Sequence, residues 1–402
     1  MSELPSGWRE TILGEVATII NGGTPSTKNI SYWGDDISWI TPKDLSRQKT
    51  KYINKGEKSI TTIGLEKSSA RLLPRNTILF TSRAPIGYVT IAKQKLTTNQ
   101  GFKNIITDEI NTHFIFMYYW LINNAPYIEK QSSGSTFSEA STSLMKSLNI
   151  KLPSIKEQKA IANILSSFDN KIELLKEQNR TLETLSQTIF KEWFVDFNYP
   201  NATGEMIHSE IGNIPKGWRV GKVKDIVNIY DSKRIPLSAR EREQIKGIYP
   251  YHGATKIMDY IDKYIFDGTY LLLAEDGSVI DDNGYPILQY VWGKFWVNNH
   301  THILQGKNGF STELLYVLFK KSKVASIVNG AVQLKINQTN LLKYCVLIAN
   351  DVVLSNFNNL IKPIFKKIKN NSSQIQTLQK TRDTLLPKLM SGKLRVKGFE
   401  DD

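Results

Sequence analysis

The phrase "PSGWRE", at Pro5–Glu10, returns nearly unchanged as "PKGWRV", at Pro215–Val220. Apolar and acidic positions continue in step behind each copy, with Leu13, Glu15 and Val16 recurring as Val223, Asp225 and Ile226. A repeated segment on this scale indicates that one structural unit is used twice, and it has to be recognised before any other feature is interpreted. The phrase therefore predicts a chain built in two similar halves.

Three further segments repeat in the same order. "TNQGF" from Thr98 matches "NNHTH" from Asn298, which pairs Asn99 with Asn299. "NTHFIFMYYWL" matches "STELLYVLFKK", where Thr112 and Thr312 each precede a run of large apolar residues and are each expected to cap a helix. "QNRTLETLSQTIF" matches "LQKTRDTLLPKLM". Together these matches predict a tandem duplication of a globular domain followed by a helix.

Two long helices are expected after the globular regions. Apolar residues recur in steps of four and three from Ile161 to Ile189 and again from Leu354 to Leu389, which is typical of a coiled-coil seam. Pro363 predicts a kink or a break in the second helix, and Ser391-Gly392 predicts its end. We expect the two helices to pair with each other in antiparallel orientation.

Each seam carries one asparagine, Asn179 in the first helix and Asn371 in the second. A buried asparagine lowers stability but fixes register and partner choice. An exposed one is a solvated irregularity in an amphipathic helix. Both interpretations remain open at this point.

The regions before these helices combine short apolar strands with loops rich in Gly, Pro, Asn and Ser, and each has one apolar helix. This texture predicts two α+β domains, each built on a twisted sheet. We place the first domain at residues 1–152 and its helix at 153–200. The second domain is placed at residues 201–350, and its helix with the C-terminal tail at 351–402.

The 402 residues carry a formal net charge of +14 and a pI near 9.4. Such a balance favours a polyanionic partner, either nucleic acid or a membrane surface. The basic residues are spread along the chain and no apolar run reaches the ~18 residues that span a bilayer, which disfavours a membrane partner. The one cysteine, Cys345, excludes an internal disulfide, and its apolar neighbours predict a buried thiol. We expect a cytoplasmic protein.

The loops are rich in side chains that read base edges or bind phosphates. Arginine and lysine suit guanine, asparagine and glutamine suit adenine, and carboxylates suit cytosine. The predicted DNA contacts in the first half are Thr24, Ser26, Thr27, Lys28, Lys43, Asp44, Ser82, Arg83, Gln100, Ser135 and Thr136. Those in the second half are Lys233, Arg234, His252, Glu275, Asp276, Asn299, His300 and Gln333.

Other interpretations of these residues remain open. "GTPS" at Gly23–Ser26 is also a turn signal, and Asp44 also suits a helix cap. His300 and His302 alternate along a strand and suggest a metal pair, although no third ligand is evident and we predict no metal site. The strand ending at Arg83 corresponds to the one ending at Asp276, so equal scaffolds would carry opposite charges at their tips.

Signatures of chemistry are missing from the sequence. There is no phosphate-binding Gly-Lys-Ser/Thr loop, no Asn/Asp-Pro-Pro-Tyr/Phe motif and no dinucleotide-type glycine fingerprint. We therefore expect a non-catalytic DNA-recognition protein that binds no cofactor itself. Two alternatives are a stand-alone enzyme with methyltransferase or nuclease activity, and a scaffold whose repeats bind only protein.

The duplicated Gly-Trp-Arg phrase, "NGGTPSTKN", "YWGDDISWITPKDL", "TSRAPIGYVTIA", "LPSIKEQKAIANILSSFDNKIELL" and the final "LQKTRDTLLPKLMSGKLRV" resemble the specificity subunit of type I restriction-modification enzymes. The resemblance covers essentially the whole chain. It implies two target recognition domains, each reading one half of a bipartite, asymmetric site in double-stranded DNA. It also implies an antiparallel coiled coil that sets the gap between the half-sites and docks the modification subunits.

The resemblance further implies partners. These are two modification subunits that methylate adenine at N6, with restriction subunits that supply a motor and a nuclease in the full complex. S-adenosylmethionine, ATP and magnesium would belong to those partner subunits. The family offers no transferable code of base contacts, so the contact residues above rest on their chemistry alone.

Overall fold

A computed structural model describes residues 4–48, 50–132, 139–330 and 333–399. The chain divides into two compact units, Met1–Lys176 with Ser372–Asp402, and Glu177–Asn371. Each unit contains one α+β repeat and a part of both long helices. Within the described residues, no helix combines the length and apolar character needed to cross a bilayer.

The first repeat runs from β1 to β10. Its elements are β1 (Arg9–Ile12), α1 (Leu13–Val16), β2 (Ala17–Asn21), β3 (Trp33–Ile40), α2 (Pro42–Arg47), β4 (Tyr52–Ile53), β5 (Lys58–Ile60), α3 (Thr62–Glu66), β6 (Ile78–Ser82), β7 (Ile86–Ala92), β8 (Thr97–Thr98), β9 (Phe102–Thr107), α4 (Phe114–Gln131), α5 (Thr142–Ser147) and β10 (Asn149–Leu152). The main sheet has the order β2-β9-β6-β7-β4, and a smaller sheet has the order β5-β3-β8. β1 pairs with β10.

Helix α6 (Ile155–Phe194) follows, and then a hairpin of β11 (Met206–Ser209) and β12 (Gly212–Pro215). The second repeat runs from β13 to β20. Its elements are β13 (Arg219–Lys222), α7 (Val223–Ile226), β14 (Val227–Ile229), α8 (Ala239–Gln244), β15 (Lys246–His252), β16 (Ile257–Ile261), β17 (Phe266–Ala274), β18 (Leu288–Val297), β19 (Thr301–Gly306), α9 (Thr312–Lys320), α10 (Gln338–Lys343) and β20 (Cys345–Ile348). Helix α11 (Asp351–Met390) is the last element in chain order.

The two repeats share one strand topology. β14-β19-β17-β18 in the second repeat matches β2-β9-β6-β7 in the first, and all of these neighbours are antiparallel. β15 pairs with β16 and runs parallel to β18, as β3 pairs with β5 and runs parallel to β8. β13 pairs with β20 as β1 pairs with β10. The predicted duplication and the α+β class are confirmed.

The repeated tryptophan begins each repeat as a packing residue. Trp8 is buried in the core of the first unit, and its Nε1 donates a hydrogen bond to Glu157 at 3.2 Å. Trp218 is buried in the second unit, where its ring stacks on Tyr199 with centroids 5.3 Å apart. Because each tryptophan precedes the strand that pairs with the last strand of its repeat, it helps to close the domain.

The long helices differ from expectation at one point. α11 is continuous from Asp351 to Met390, so of the kink or break predicted at Pro363 the break is wrong, and the kink stays a prediction. A proline removes only one main-chain donor, and the apolar contacts on either side, with Ile361 and Phe365 both buried, hold the helix together. The predicted end is confirmed, because Gly392 follows the helix with a φ of +72°.

α6 and α11 pair in antiparallel orientation within each unit. In the first unit, Asp169 of α6 accepts a hydrogen bond from Arg382 of α11 at 2.6 Å, and Glu157 meets Arg395 at 2.7 Å. Positions later in α6 therefore meet positions earlier in α11. In the second unit, the ring of Phe190 lies 6.1 Å from that of Phe357.

The two seam asparagines meet in the second unit. Asn371 is fully buried, and its Nδ2 donates to Asn179 Oδ1 at 2.9 Å. Its Oδ1 has no hydrogen-bond partner among the described residues. The interpretation as a solvated irregularity is therefore wrong, and the pair is a buried polar contact of the kind that specifies register.

Local details correct other expectations. Cys345 is exposed, because successive side chains of a strand face opposite sides, and in β20 it is Val346 and Ile348 that face the core. The helix predicted to begin at Thr112 begins instead after His113, and α9 is capped by Ser311, whose hydroxyl accepts from the Leu314 amide.

Candidate nucleic-acid interface

Main-chain hydrogen bonds align the strand ends of the two repeats residue by residue. The Ser82 amide donates to Gly101 at 2.8 Å, and the Glu275 amide donates to His300 at 2.9 Å. These bonds occupy the same place in the shared topology, at the end of β6 or β17 and the start of β9 or β19. They show that Ser82 is equivalent to Glu275, which confirms the predicted correspondence of Arg83 with Asp276.

We call the residues gathered at this edge of each sheet the strand-tip site. Their equivalent pairs, first repeat before second, are Asn21 and Asp231, Ser82 and Glu275, Arg83 and Asp276, Gln100 and Asn299, Lys103 and His302, and Glu139 and Lys335. Thr24 and Arg234 are matched by sequence distance alone, since each follows the first pair by three residues. Most were predicted from separate loops. The fold brings them together because the ends of β2 and β6 and the start of β9 share one edge of the sheet.

The strand-tip site of the first repeat is built mainly from hydroxyls and amides. The Thr24 hydroxyl donates to Gln100 Oε1, and the Thr142 hydroxyl donates to Asn21 Oδ1 at 2.9 Å. Ser82 is fully buried, and its hydroxyl has no partner among the described residues. Gln100 is exposed, and Arg83 is half-buried.

One ion pair lies beneath this layer. Lys103 is 6% exposed, and its Nζ lies 3.1 Å from Glu139 Oε1. The Glu139 side chain is 39% exposed, so its carboxylate is partly solvated by water. The first site therefore carries one buried cation whose partner is partly solvated.

The loop after β2 is anchored by two tryptophans of β3, while the side chains at its far end face solvent. The Trp33 and Trp39 indoles donate to the carbonyls of Ser26 at 3.2 Å and Gly23 at 2.9 Å. The side chains of Ser26, Thr27 and Lys28 are exposed beyond these anchors. The hydrogen-bonded turn of this loop lies at Ser26–Asn29, where the Asn29 amide donates to the Ser26 carbonyl at 3.4 Å, and not at the predicted Gly23–Ser26.

Asp44 has a structural task. Its Oδ2 accepts from the amide and hydroxyl of Thr41 at 2.8 and 2.6 Å, and its Oδ1 accepts from the Glu57 amide at 2.8 Å. Asp44 thus completes the capping box of α2, as the alternative interpretation held. Lys43 pairs with Glu57 at 2.9 Å, and this hydrogen bond lowers the pKa of the exposed Glu57 carboxyl.

In the strand-tip site of the second repeat, ionised groups replace the neutral ones. Arg234 Nη1 lies 2.5 Å from Glu275 Oε2, and Lys335 Nζ lies 3.3 Å from Glu275 Oε1. The side chains of Arg234 and Glu275 are only 15% and 13% exposed. Both were predicted to contact DNA, and in this structure each has the other as its partner.

His302 completes this network. It is fully buried, with Nδ1 2.5 Å from Asp231 Oδ2 and Nε2 2.8 Å from the Ile336 carbonyl oxygen. A carbonyl only accepts, so Nε2 carries a proton. The pairing of His302 with His300, the alternative suggested by their spacing, does not occur: His300 precedes β19 and lies 2.6 Å from Asp276, whereas His302 lies within β19 and binds Asp231.

Asp231, Glu275 and His302 place one ligand atom each within 4.8 Å of one another, which is the spacing of a metal site. Arg234 and Lys335 already lie against these carboxylates. Two carboxylates are thus matched by two cations, and a divalent ion would add charge that nothing in the network compensates. The donor set fits an ion network better than a metal centre.

The remaining predicted residues of the second repeat differ in accessibility. His252 is buried, where loss of solvent lowers its pKa and its Nδ1 lies 3.0 Å from Gln289 Oε1. His300 pairs with Asp276 at 2.6 Å, and its side chain is 47% exposed. Lys233, Asn299 and Gln333 are exposed. Ser135 and Thr136 of the first repeat lie outside the described residues.

Sequence reasoning missed Lys103, Glu139 and Asp231. Lys103 and Glu139 are 36 residues apart, and Asp231 meets His302 71 residues further on, so no local pattern identifies these contacts. The alignment of repeats carried a usable signal, since an offset of 199 rather than 200 places Lys103 opposite His302. The DNA contacts themselves remain predictions for all of these positions.

Comparisons with known proteins agree with this architecture. The family described as type I restriction modification DNA specificity domain matches residues 5–184 and 215–350. The chain is 35% identical to the type I restriction enzyme MjaIX specificity subunit of Methanocaldococcus jannaschii, over 98% of this chain and 95% of that protein. It is 23% identical to the EcoprrI specificity subunit of Escherichia coli, over 75% of this chain and 73% of that protein.

A solved structure shares the fold. The crystal structure of the type I restriction-modification system S subunit from M. genitalium superposes with a TM-score of 0.55 at 18% sequence identity. The superposition covers 95% of this chain and 96% of that one.

Proposed function

The chain belongs to the family of type I restriction-modification specificity subunits, and on that basis we propose that it directs such a complex to a bipartite DNA site. Each repeat reads one half of the site with its strand-tip residues. The paired helices set the gap between the half-sites and dock two modification subunits. The single observation that supports this proposal most strongly is the presence of two equivalent strand-tip sites with different side chains in one chain.

The strand tips suit DNA because they place side chains of several chemistries along one edge. Amides, carboxylates, histidine and arginine cover the donor and acceptor patterns of the major groove. Exposed lysines such as Lys28 and Lys233 would hold phosphates, which makes affinity fall as salt is raised. Phosphate contacts position the protein on DNA, and the strand-tip residues specify the base sequence.

Chemistry belongs to the partners in this proposal. The chain contributes recognition and assembly, while the modification subunits bind S-adenosylmethionine and methylate adenine at N6. Restriction subunits add an ATP- and magnesium-dependent motor and nuclease. We place this work in the cytoplasm, where the chromosome is accessible, and we assign residues 1–152 and 201–350 as the two recognition domains.

Co-expression with the cognate modification subunit tests the proposal. Sequencing of host DNA by a method that detects N6-methyladenine should return one asymmetric motif in two parts separated by a fixed gap. Absence of methylation, or a continuous palindrome, would contradict it. Incubating the purified chain alone with S-adenosylmethionine and DNA tests the stand-alone enzyme, and we expect no methyl transfer.

A further inference from the structure

We propose that Gln100 and Asn299 are equivalent base-reading residues, each of which recognises the major-groove edge of an adenine in its own half-site. The inference rests on the proposed function and adds to it a residue and a base in each half. It predicts that the two half-sites, otherwise different, share one adenine contact.

In both repeats, equivalent hydrogen bonds of the preceding asparagine fix the backbone at the position of Gln100 or Asn299. The Asn99 amide donates to Ile40 at 2.9 Å, and Asn99 Oδ1 accepts from the Gly101 amide at 2.9 Å. In the second repeat, the Asn298 amide donates to His252 at 3.0 Å, and Asn298 Oδ1 accepts from the His300 amide at 3.0 Å.

Each asparagine therefore forms a side-chain turn around the residue that follows it. That residue is Gln100 in the first repeat and Asn299 in the second, and both are exposed. A turn fixed by two hydrogen bonds holds the intervening side chain on a rigid support, which precise reading of a base edge requires.

The amides are also available. The Thr24 hydroxyl donates to Gln100 Oε1, which orients the carboxamide and leaves its Nε2 and a second lone pair of Oε1 unused. Arg234 Nη1 donates to the main-chain carbonyl of Asn299 at 3.2 Å, so the second repeat steadies the backbone instead. The Asn299 side chain has no hydrogen-bond partner among the described residues.

Carboxamide chemistry selects adenine. A carboxamide accepts a hydrogen bond from adenine N6 and donates one to N7, and no other base offers that pattern in the major groove. A base that is flipped out for methylation no longer presents its edge in the groove. The adenine that is read is therefore one that stays paired.

The neighbouring positions explain how the half-sites still differ. Arg83 stands where the second repeat has Asp276, and Gly101 stands where it has His300. A cation and the pair Asp276–His300 cannot read the same base. The shared side-chain amide therefore supplies one common base contact, and the neighbouring strand-tip residues make the two half-sites different.

The test uses the full chain co-expressed with its cognate modification subunit. Gln100→Glu and Asn299→Asp keep the shape of each side chain but remove the N7 donor, which disfavours adenine and favours the N4 donor of cytosine. We expect at least a tenfold loss of methylation at sites with the original adenine. Each variant should change one position in one half-site and leave the other half-site intact.

Matched controls introduce the same charge elsewhere. Asn54 follows β4 at the opposite edge of the sheet, and Asn213 lies in the hairpin of β11 and β12; both residues are exposed. Neither Asn54→Asp nor Asn213→Asp should alter the motif. Gln100→Ala and Asn299→Ala separate loss of the amide from added charge, and they should relax the specified position. Recovery of the chain with the modification subunit establishes that each variant folds.

The outcomes distinguish the two proposals. No methylated motif from the wild-type chain would overturn the proposed function and this inference with it. A wild-type motif that Gln100→Glu and Asn299→Asp both leave unchanged, at undiminished methylation, would overturn this inference alone. A variant that changes both half-sites at once would do the same, because it would contradict the assignment of one amide to each half.

Discussion

The two strand-tip sites stand on the same strands but are held together by different forces. In the first repeat, Thr24, Ser82 and Gln100 form a polar layer with one ion pair beneath it. In the second repeat, the equivalent positions are Arg234, Glu275 and Asn299, and a network of charges fills the site. The shared sheet tolerates either solution, since its apolar core lies behind the tips.

The difference teaches how a duplicated scaffold diverges. Neutral hydroxyls and amides can be replaced one at a time, because each substitution removes about one hydrogen bond and leaves no unpaired charge. In a network of buried charges each side chain depends on its neighbours, so one substitution leaves a charged partner without its counter-charge and without water. We infer that the first site accommodates single substitutions more readily than the second.

Removing Arg234 should have the largest effect. Arg234→Met leaves Glu275 and Asp231 without their nearest guanidinium, and we expect a loss of about 3–5 kcal/mol in the stability of the second repeat. Hydrogen exchange measured by mass spectrometry should rise in β14, β17 and β19. Thr24→Ala at the equivalent position should leave β2, β6 and β9 protected, and equal effects in the two repeats would contradict the comparison.

Exchanging the whole set should cost less than removing one member. We would replace five residues of the second repeat by their first-repeat equivalents, as Asp231→Asn, Arg234→Thr, Glu275→Ser, His302→Lys and Lys335→Glu. Each buried charge is then removed together with its partner or supplied with one, so we expect less than half of the loss caused by Arg234→Met. Thermal unfolding of both variants measures the difference. A larger loss than that of Arg234→Met would show that the sites are not interchangeable.

Lys103→Met should have a smaller effect in the first repeat. The partner, Glu139, has a side chain that is 39% exposed and can return to water when the lysine is lost. We expect a loss of about 1 kcal/mol, in the range of partly exposed ion pairs. Urea unfolding measures it, with Lys55→Met, an exposed lysine of the same repeat, as the control.

Acid should weaken the second repeat through His252. Burial lowers the pKa of this imidazole, so below the ordinary histidine value the unfolded chain binds a proton that the folded chain does not. Stability is therefore lost as pH falls through the ordinary histidine value. Because Gln289 Nε2 donates to the Gly253 and Ala254 carbonyls, its Oε1 accepts from His252 Nδ1, and asparagine can replace that donor.

His252→Asn should accordingly flatten the pH dependence of the melting temperature. Burial also lowers the pKa of His113 in the first repeat, so His113→Asn provides the matched variant. Each change should remove a part of the acid sensitivity. An unchanged pH profile in both variants would assign the effect to other groups.

Much of the architecture followed from the sequence because it depends on periodic or repeated residues. The seam from Ile161 to Ile189 predicts a coiled coil, and the repeated Gly-Trp-Arg phrase predicts the duplication. The offset of the central match was wrong by one residue. Matching identical letters paired Asn99 with Asn299, whereas main-chain hydrogen bonds pair it with Asn298.

The partners of charged residues escaped prediction for a physical reason. Arg234 and Glu275 are 41 positions apart, and the pairing of β19 with both β14 and β17 brings them within 2.5 Å. Composition shows that a charged residue is present but not which carboxylate it faces. Burial of His252 escaped for the same reason, since it depends on the neighbouring strand and on Gln289.

Cys345 has a practical consequence. It is the only cysteine in the chain, and it is exposed at the first position of β20. A maleimide dye should therefore attach at one defined place on the unaltered protein. Such a label would follow the second repeat by fluorescence while the subunits assemble and while DNA is captured, without any substitution at all.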